Sequence, residues 1–160
     1  MTPDPVQCLI LACGNTLRGD DGVGPWLADW AERRFRADPR VRVLARQQWT
    51  PELTGDIAPA QYVLFIDCSV VSAPGAVSLI PVAPAAAAQQ GLATHHLGAA
   101  ELLALARELF NSLPSHTLLL TIGAGSTELG EVFSDRVTAA LPNACRLIEE
   151  TVLRLLDGPE

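Results

Sequence analysis

The sequence contains no lysine, because all 11 of its basic residues are arginine. This absence excludes mechanisms that need a lysine side chain, such as Schiff-base catalysis or the phosphate contact of a P-loop. The 18 acidic residues outnumber the basic ones and give a formal net charge of -7. A chain with this charge repels nucleic acid and anionic membranes, so we expect neither as a partner.

Long apolar runs and an export signal are also missing. Prolines or charges interrupt the apolar stretches within about a dozen residues, whereas a bilayer span needs about 20. Residues 1–5 include neither a basic region nor an apolar segment that ends in a small-residue cleavage site. We therefore expect a cytoplasmic protein without a transmembrane helix.

Cysteine is present, but its spacing matches neither a metal-binding CxxC motif nor a set of disulfide bonds. None of the four cysteines is paired with another at CxxC spacing. Disulfides are rare in cytoplasmic proteins, so we expect free, buried thiols. The cysteines are Cys8, Cys13, Cys68 and Cys145.

The 160 residues, 49% of them hydrophobic, predict one globular domain that spans residues 1–160. Apolar strands alternate with helical patterns, which indicates an α/β fold. We predict a three-layer α/β/α sandwich around a mostly parallel, twisted sheet of about five strands. The predicted strands are 6–13, 41–45, 62–67, 77–82 and 118–122. The last helix should be capped by Ser134, and Pro142 should kink it or split it in two.

Functional residues in such folds gather where parallel strands end at their carboxyl termini. Three groups of side chains occupy such positions in the predicted fold. They are the segment 15–21 after the first strand, Asp67 at the end of the third, and His95 in a loop before a later helix.

The segment 14–24, GNTLRGDDGVG, lies between a strand and a helix, where nucleotide-binding loops are found. It matches neither the dinucleotide fingerprint nor the P-loop. Asp20 and Asp21 would also repel a phosphate at this place. We expect the loop to face a cation or a polar peptide group instead.

Asp21, Asp67 and His95 together offer two carboxylates and one imidazole, a donor set that suits an open nickel or zinc site. Other interpretations remain at this stage. Asp20 and Asp21 are candidates for capping the following helix, and Asp20 is also a candidate general base. A carboxylate that closes an apolar strand loses hydration unless it is paired or bound to a cation, which favours a site role for Asp67.

The remaining candidates are weaker. His95 and His96 could form a surface pair, and His116 is expected at the surface or at a strand edge. Cys68 should point away from Asp67 into the core, because neighbouring side chains of a strand alternate between its faces. No cysteine is expected beside the two acids.

The sequence resembles the nickel-iron hydrogenase maturation endopeptidases, which remove a C-terminal extension from the hydrogenase large subunit. The resemblance runs nearly end to end. It is carried by the segment 14–24, by FIDC at 65–68, by THHLG at 94–98 and by Leu141-Pro142. The exit from the second strand departs from the Gly-rich family pattern and reads RQQWTPEL at 46–53, which leaves the client hydrogenase open.

Several properties follow as implications of the resemblance. The family's metal-binding acids and histidine fall on Asp21, Asp67 and His95, with His95 preferred to His96 because of its distance from the following Leu-Gly. The partner is the large-subunit precursor. Nickel is supplied by that substrate, serves as the recognition signal, and is bound only weakly by the isolated protein.

Two other classes of function are compatible with the sequence. One is a non-catalytic, nickel-dependent binding or chaperone module for the large subunit. The other is an α/β domain that binds a nucleotide or another small ligand.

Overall fold

In the part of the chain that the structure describes, the sheet has five strands in the order β2-β1-β3-β5-β4. Our computed structural model describes residues 6–86 and 97–159. Among the described strands, β2, β1, β3 and β5 run parallel to one another, and only β4 runs antiparallel, at one edge beside β5. The strands are β1 (Cys8–Cys13), β2 (Val41–Arg46), β3 (Tyr62–Ser69), β4 (Val77–Pro81) and β5 (His116–Gly123).

Helices cover both faces of this sheet. A 3-10 turn, Gly19–Gly22, follows β1 and leads directly into α1; a second 3-10 turn, Pro51–Leu53, leads into α2. The α-helices are α1 (Val23–Arg34), α2 (Thr54–Ile57), α3 (Ala99–Phe110) and α4 (Asp135–Leu156).

The central strand β1 explains the layered arrangement. Its residues are apolar without alternation, as is typical of a strand buried on both faces. Ile10 packs into a core with buried residues of α1 and α4, whereas Leu11 packs into a second core with α2 and α3. The predicted fold class, a three-layer α/β/α sandwich around a mostly parallel sheet, is therefore confirmed.

The last helix meets its prediction in part. Ser134 caps α4 as expected, since its hydroxyl accepts from the Val137 N–H at 3.5 Å. However, α4 continues through Pro142 as a single helix of 22 residues. The predicted split is wrong: buried residues on both sides of the proline, including Val137 and Ile148, pack into one core, which favours a continuous helix.

None of the helices in the described part of the chain is long and apolar enough to cross a lipid bilayer. The four cysteines are free, as expected, although only Cys8 is fully buried.

Candidate functional site

A cleft of about 500 Å³ opens at the carboxyl edge of the sheet. The last residues of β1 and β3 line it, together with the segments that follow β1, β2 and β3 and the two residues that precede α3. Asp21 and Asp67 both face this cleft. The structure thus brings together two of the three side chains that the sequence singles out.

Asp67 lies at the carboxyl end of β3, just beyond the last residue that pairs with β1. The pairing with β1 ends at Ile66, whereas pairing with β5 continues to Ser69. The carboxylate is half-buried, and its Oδ1 accepts from the Cys68 N–H at 2.7 Å and from the Cys13 thiol at 3.3 Å. These two donors hold Oδ1 in a defined direction at the base of the cleft.

Asp21 is positioned by the turn that connects β1 to α1. Its Oδ2 accepts from the Asn15 N–H at 2.7 Å, which ties both ends of the loop together. Gly14 adopts a φ of +154°, and a side chain there would overlap the carbonyl oxygen of Asp21. The glycine is therefore required for the close approach that places Asp21.

His95 and His96 lie outside the described residues, so their predicted role stays a prediction. Leu97, the second residue after His95, lines the cleft with Gly98. His116 begins β5 at the opposite end of the sheet, where its ring packs edge-on against Tyr62 at 5.7 Å.

Asp20 has a structural role that the sequence does not reveal. Its side chain is completely buried, and its Oδ2 accepts from the Gly125 N–H at 2.7 Å, the Ser126 N–H at 3.0 Å and the Ser134 hydroxyl at 2.7 Å. Its Oδ1 accepts from the Ser134 N–H at 2.7 Å. The carboxylate thus fastens the loop between β5 and α4 to the turn that carries Asp21.

These contacts decide between the earlier interpretations of the two acids. Neither one caps α1, because Gly22 is its N-cap and no side chain bonds to the first turn. Burial alone raises the pKa of Asp20, but the hydrogen bonds from Ser134, Ser126 and Gly125 outweigh it and hold the pKa below its usual value. An ionised carboxylate enclosed by four donors stabilises the fold and is poorly placed to act as a general base.

A thiol lies beside the acids, contrary to expectation. Cys13, the last residue of β1, reaches Asp67 directly and lines the cleft. Burial, and then the negative charge of Asp67, raise its pKa well above the usual value. Burial likewise raises the pKa of Cys68 to about 12, with further contributions from Asp21 and Asp67. Both thiols therefore stay protonated at neutral pH, which argues against a cysteine nucleophile.

Cys68 meets its prediction only in part. It packs against the core between the sheet, α1 and α4, but it is half-buried and also lines the cleft. Strand alternation predicts the packing direction correctly. It does not predict the cleft contact, because the strand end is open on one side where β1 has already stopped.

The exit from β2 forms another wall of the cleft, with Gln47, Gln48 and Trp49. The Trp49 ring packs edge-on against Phe65 at 5.3 Å and is almost fully buried. Within residues 6–86 and 97–159, the indole Nε1 has no hydrogen-bond partner. The segment that departs from the Gly-rich family pattern thus contributes directly to the site.

The described residues alone do not complete a metal site. Residues 6–86 and 97–159 contain no group of three or more His, Cys, Asp or Glu side chains arranged to hold a metal ion. Asp21 and Asp67 supply two carboxylates to the cleft, so a bound cation would need further ligands from elsewhere.

Solved structures of similar fold include several hydrogenase maturation proteases. The chain matches the hydrogenase maturating endopeptidase HybD from E. coli with a TM-score of 0.73 and 19% identity, over 92% of this chain and 93% of that one. It matches the [NiFe] hydrogenase maturation protease HybD from Thermococcus kodakarensis with a TM-score of 0.66 and 25% identity, over 91% and 98% of the two chains.

A third structure agrees with these two. The [NiFe] hydrogenase maturation protease HycI from Thermococcus kodakarensis KOD1 gives a TM-score of 0.67 and 24% identity, with 92% of each chain covered. No protein-family model matches the chain, and no curated protein matches it at a significant level. The structural neighbours confirm the resemblance found in the sequence at the level of the fold.

Proposed function

We propose that this chain, which has the fold of the hydrogenase maturation endopeptidases, is itself an endopeptidase that removes the C-terminal extension of a nickel-iron hydrogenase large-subunit precursor. One observation carries the proposal. Asp21 and Asp67, two acids separated in the chain by α1, β2 and α2, meet in one cleft at the carboxyl edge of the sheet. This edge is where open α/β sheets bind their ligands.

Nickel enters the proposal as part of the substrate. Two carboxylates bind a divalent ion weakly without further ligands, so the isolated protein should hold nickel only loosely. Thiolates of the client would supply the remaining donors, and His95 is proposed as the third ligand from this chain. Leu97 supports that assignment, because it lines the cleft two residues after His95.

The proposed chemistry is hydrolysis of the peptide bond beside the nickel. Asp21, Asp67 and His95 hold the ion of the client, so that the scissile bond lies next to a Lewis acid. The client's nickel would supply Lewis-acid chemistry there, to polarise the carbonyl or to lower the pKa of a bound water, while the three side chains would hold and orient it. Neither neighbouring thiol is proposed as the nucleophile, since burial and the nearby acids keep both protonated.

The decisive experiment mixes the purified protein with nickel-loaded and nickel-free large-subunit precursor and follows the precursor by mass spectrometry. We expect a shorter product only from the nickel-loaded form. Cleavage of both forms would contradict nickel-based recognition, and cleavage of neither would contradict the protease assignment. Nickel-dependent binding without a shorter product would indicate a chaperone module. Thermal stabilisation by a nucleotide, but not by nickel, would indicate a small-ligand domain.

The Cys13 thiol should matter as a positioning group for Asp67. Cys13→Ala removes the 3.3 Å hydrogen bond to Oδ1, so we expect kcat to fall about tenfold with little change in KM. Cys13→Ser keeps a donor and should restore most of the rate. The same kinetic assay applied to Cys145→Ala, a half-buried thiol on α4, gives the matched control. A serine variant as slow as the alanine variant would contradict a positioning role.

A further inference from the structure

Two smaller cavities continue from the cleft around the turn that joins β1 to α1. The first has a volume of about 330 Å³ and shares Gly14, Asn15 and Gln47 with the cleft. The second has a volume of about 270 Å³ and shares Thr16 and Pro25 with the first. The three cavities therefore adjoin one another in a row that leads away from the two acids. We call the two smaller cavities the side groove.

An exposed aromatic side chain forms the far end of the side groove. Trp26, in the first turn of α1, lines the second cavity and is 42% exposed. Its ring packs edge-on against the ring of Phe133 at a centroid distance of 6.5 Å. Tryptophan is highly buried on average, and it is enriched among the residues that contribute most to binding. The far end of the side groove is thus an apolar pocket of the kind that anchors a partner's side chain.

The side groove is shaped before any ligand binds. A Cβ at Gly22 would lie 3.1 Å from the Thr16 Cα and 3.6 Å from the Phe133 Cε1, so glycine there keeps the second cavity open. The turn itself is held by the Asn15 side chain, whose Oδ1 accepts from the Leu17 N–H at 2.9 Å. A ligand therefore meets a preformed surface, as is usual for binding sites.

Polar groups lie next to the apolar pocket. Arg46 and Gln47 line the first cavity, and Glu131 lines the second. Guanidinium and amide groups donate to peptide carbonyls, and a carboxylate accepts from N–H groups. A row of adjoining cavities with these groups fits an extended chain segment better than a compact small molecule, which would occupy only one of them.

We propose that the side groove binds the C-terminal extension of the client, and that the pocket of Trp26 and Phe133 takes a large apolar side chain of that extension. This inference rests on the proposed function, which puts the scissile bond in the cleft. The mature side of that bond leads back to the client's nickel, held at Asp21 and Asp67. The extension is then the segment that is free to leave the cleft, and the side groove adjoins the cleft. Trp26 and Phe133 thus determine which extension is accepted.

The test uses nickel-loaded precursor and a synthetic peptide with the sequence of the released extension, which the mass of the wild-type product identifies. Trp26→Ala removes a wall of the pocket, and Thr16→Trp fills the junction of the two cavities. The control, Phe110→Ala, removes an aromatic ring that is 51% exposed at the end of α3. That end lies about 18 Å along the helix from Gly98, which lines the cleft.

We expect Trp26→Ala and Thr16→Trp each to raise the Kd of the peptide and the KM of the precursor about tenfold, while kcat stays within about twofold. Trp26→Phe keeps an aromatic wall and should stay within about threefold of wild type in both constants. Phe110→Ala should match wild type. Because one variant enlarges the pocket and the other fills the groove, a loss in both identifies occupancy by the client rather than altered packing.

Wild-type Kd and KM in both Trp26→Ala and Thr16→Trp would overturn the side groove as the binding site of the extension and leave the protease assignment intact. The same loss in Phe110→Ala would also overturn it, because the effect would then not depend on the groove. A wild-type protein that does not shorten the precursor would overturn both proposals.

Discussion

Asp21→Asn and Asp67→Asn will each abolish processing of the large-subunit precursor, with a loss of at least about a hundredfold in kcat/KM. Asparagine has nearly the same shape as aspartate but carries no charge, so it binds a divalent cation far less well. Both variants should fold, because an amide oxygen can still accept from the Asn15 N–H at position 21 and from the Cys68 N–H at position 67. Conversion of nickel-loaded precursor, followed by mass spectrometry, gives the result.

The matched control for these variants is Asp29→Asn, on the exposed side of α1. It removes the same charge far from the cleft and should process precursor at the wild-type rate. His95→Ala is expected to fail like the two acid variants. Retained cleavage in any two of the three site variants would end the assignment of the trio.

Asp20→Asn will give the largest loss of stability, about 2–4 kcal/mol in the free energy of unfolding. The Asp20 carboxylate accepts three hydrogen bonds at Oδ2 and one at Oδ1. Whichever oxygen the amide NH₂ of asparagine replaces, that NH₂ faces at least one N–H or O–H group that can no longer donate to it. Chemical denaturation at neutral pH measures the effect. Asp135→Asn, an exposed acid in the first turn of α4, is the control and should lose less than about 1 kcal/mol.

The same carboxylate should make stability depend on acid pH. The pKa of Asp20 is lower in the folded protein than in the unfolded chain, so its contribution is fully present above the unfolded value near 3.8. It is lost as the pH falls through the lower, folded value. The wild-type protein should therefore lose more stability below about pH 4 than Asp20→Asn does. Parallel pH profiles for the two proteins would contradict the assignment.

The sheet and its layers can be predicted from the sequence because they depend on local patterns of apolar residues. The uninterrupted apolar run of β1 indicates a strand buried on both faces, and β3 shows the same pattern. The rule that parallel strands end at one edge then brings Asp21 and Asp67 together without any knowledge of side-chain geometry. The same rule predicts a place for His95, which lies outside the described residues.

Contacts between distant segments escaped prediction. The partners of Asp20 are glycine and serine residues in a loop that has no distinctive pattern, so helix capping was the natural interpretation. The position of Cys13 beside Asp67 does have a signal in the strand pairing. Ala12 pairs with Ile66, so the next residues of β1 and β3 are Cys13 and Asp67. Aligning β1 with β3 residue by residue predicts the contact between Cys13 and Asp67, whereas searching for motifs does not.

The bonds from Asp20 to residues 125, 126 and 134 span 105 to 114 positions of the chain. During synthesis the acidic turn leaves the ribosome long before those partners exist. Until residue 134 has emerged, the Asp20 carboxylate lacks its donors from Ser134, and the turn that carries Asp21 is held only by local contacts such as the Asn15 N–H bond to Asp21. The acidic turn therefore acquires its folded-state contacts only after residue 134 has been synthesised.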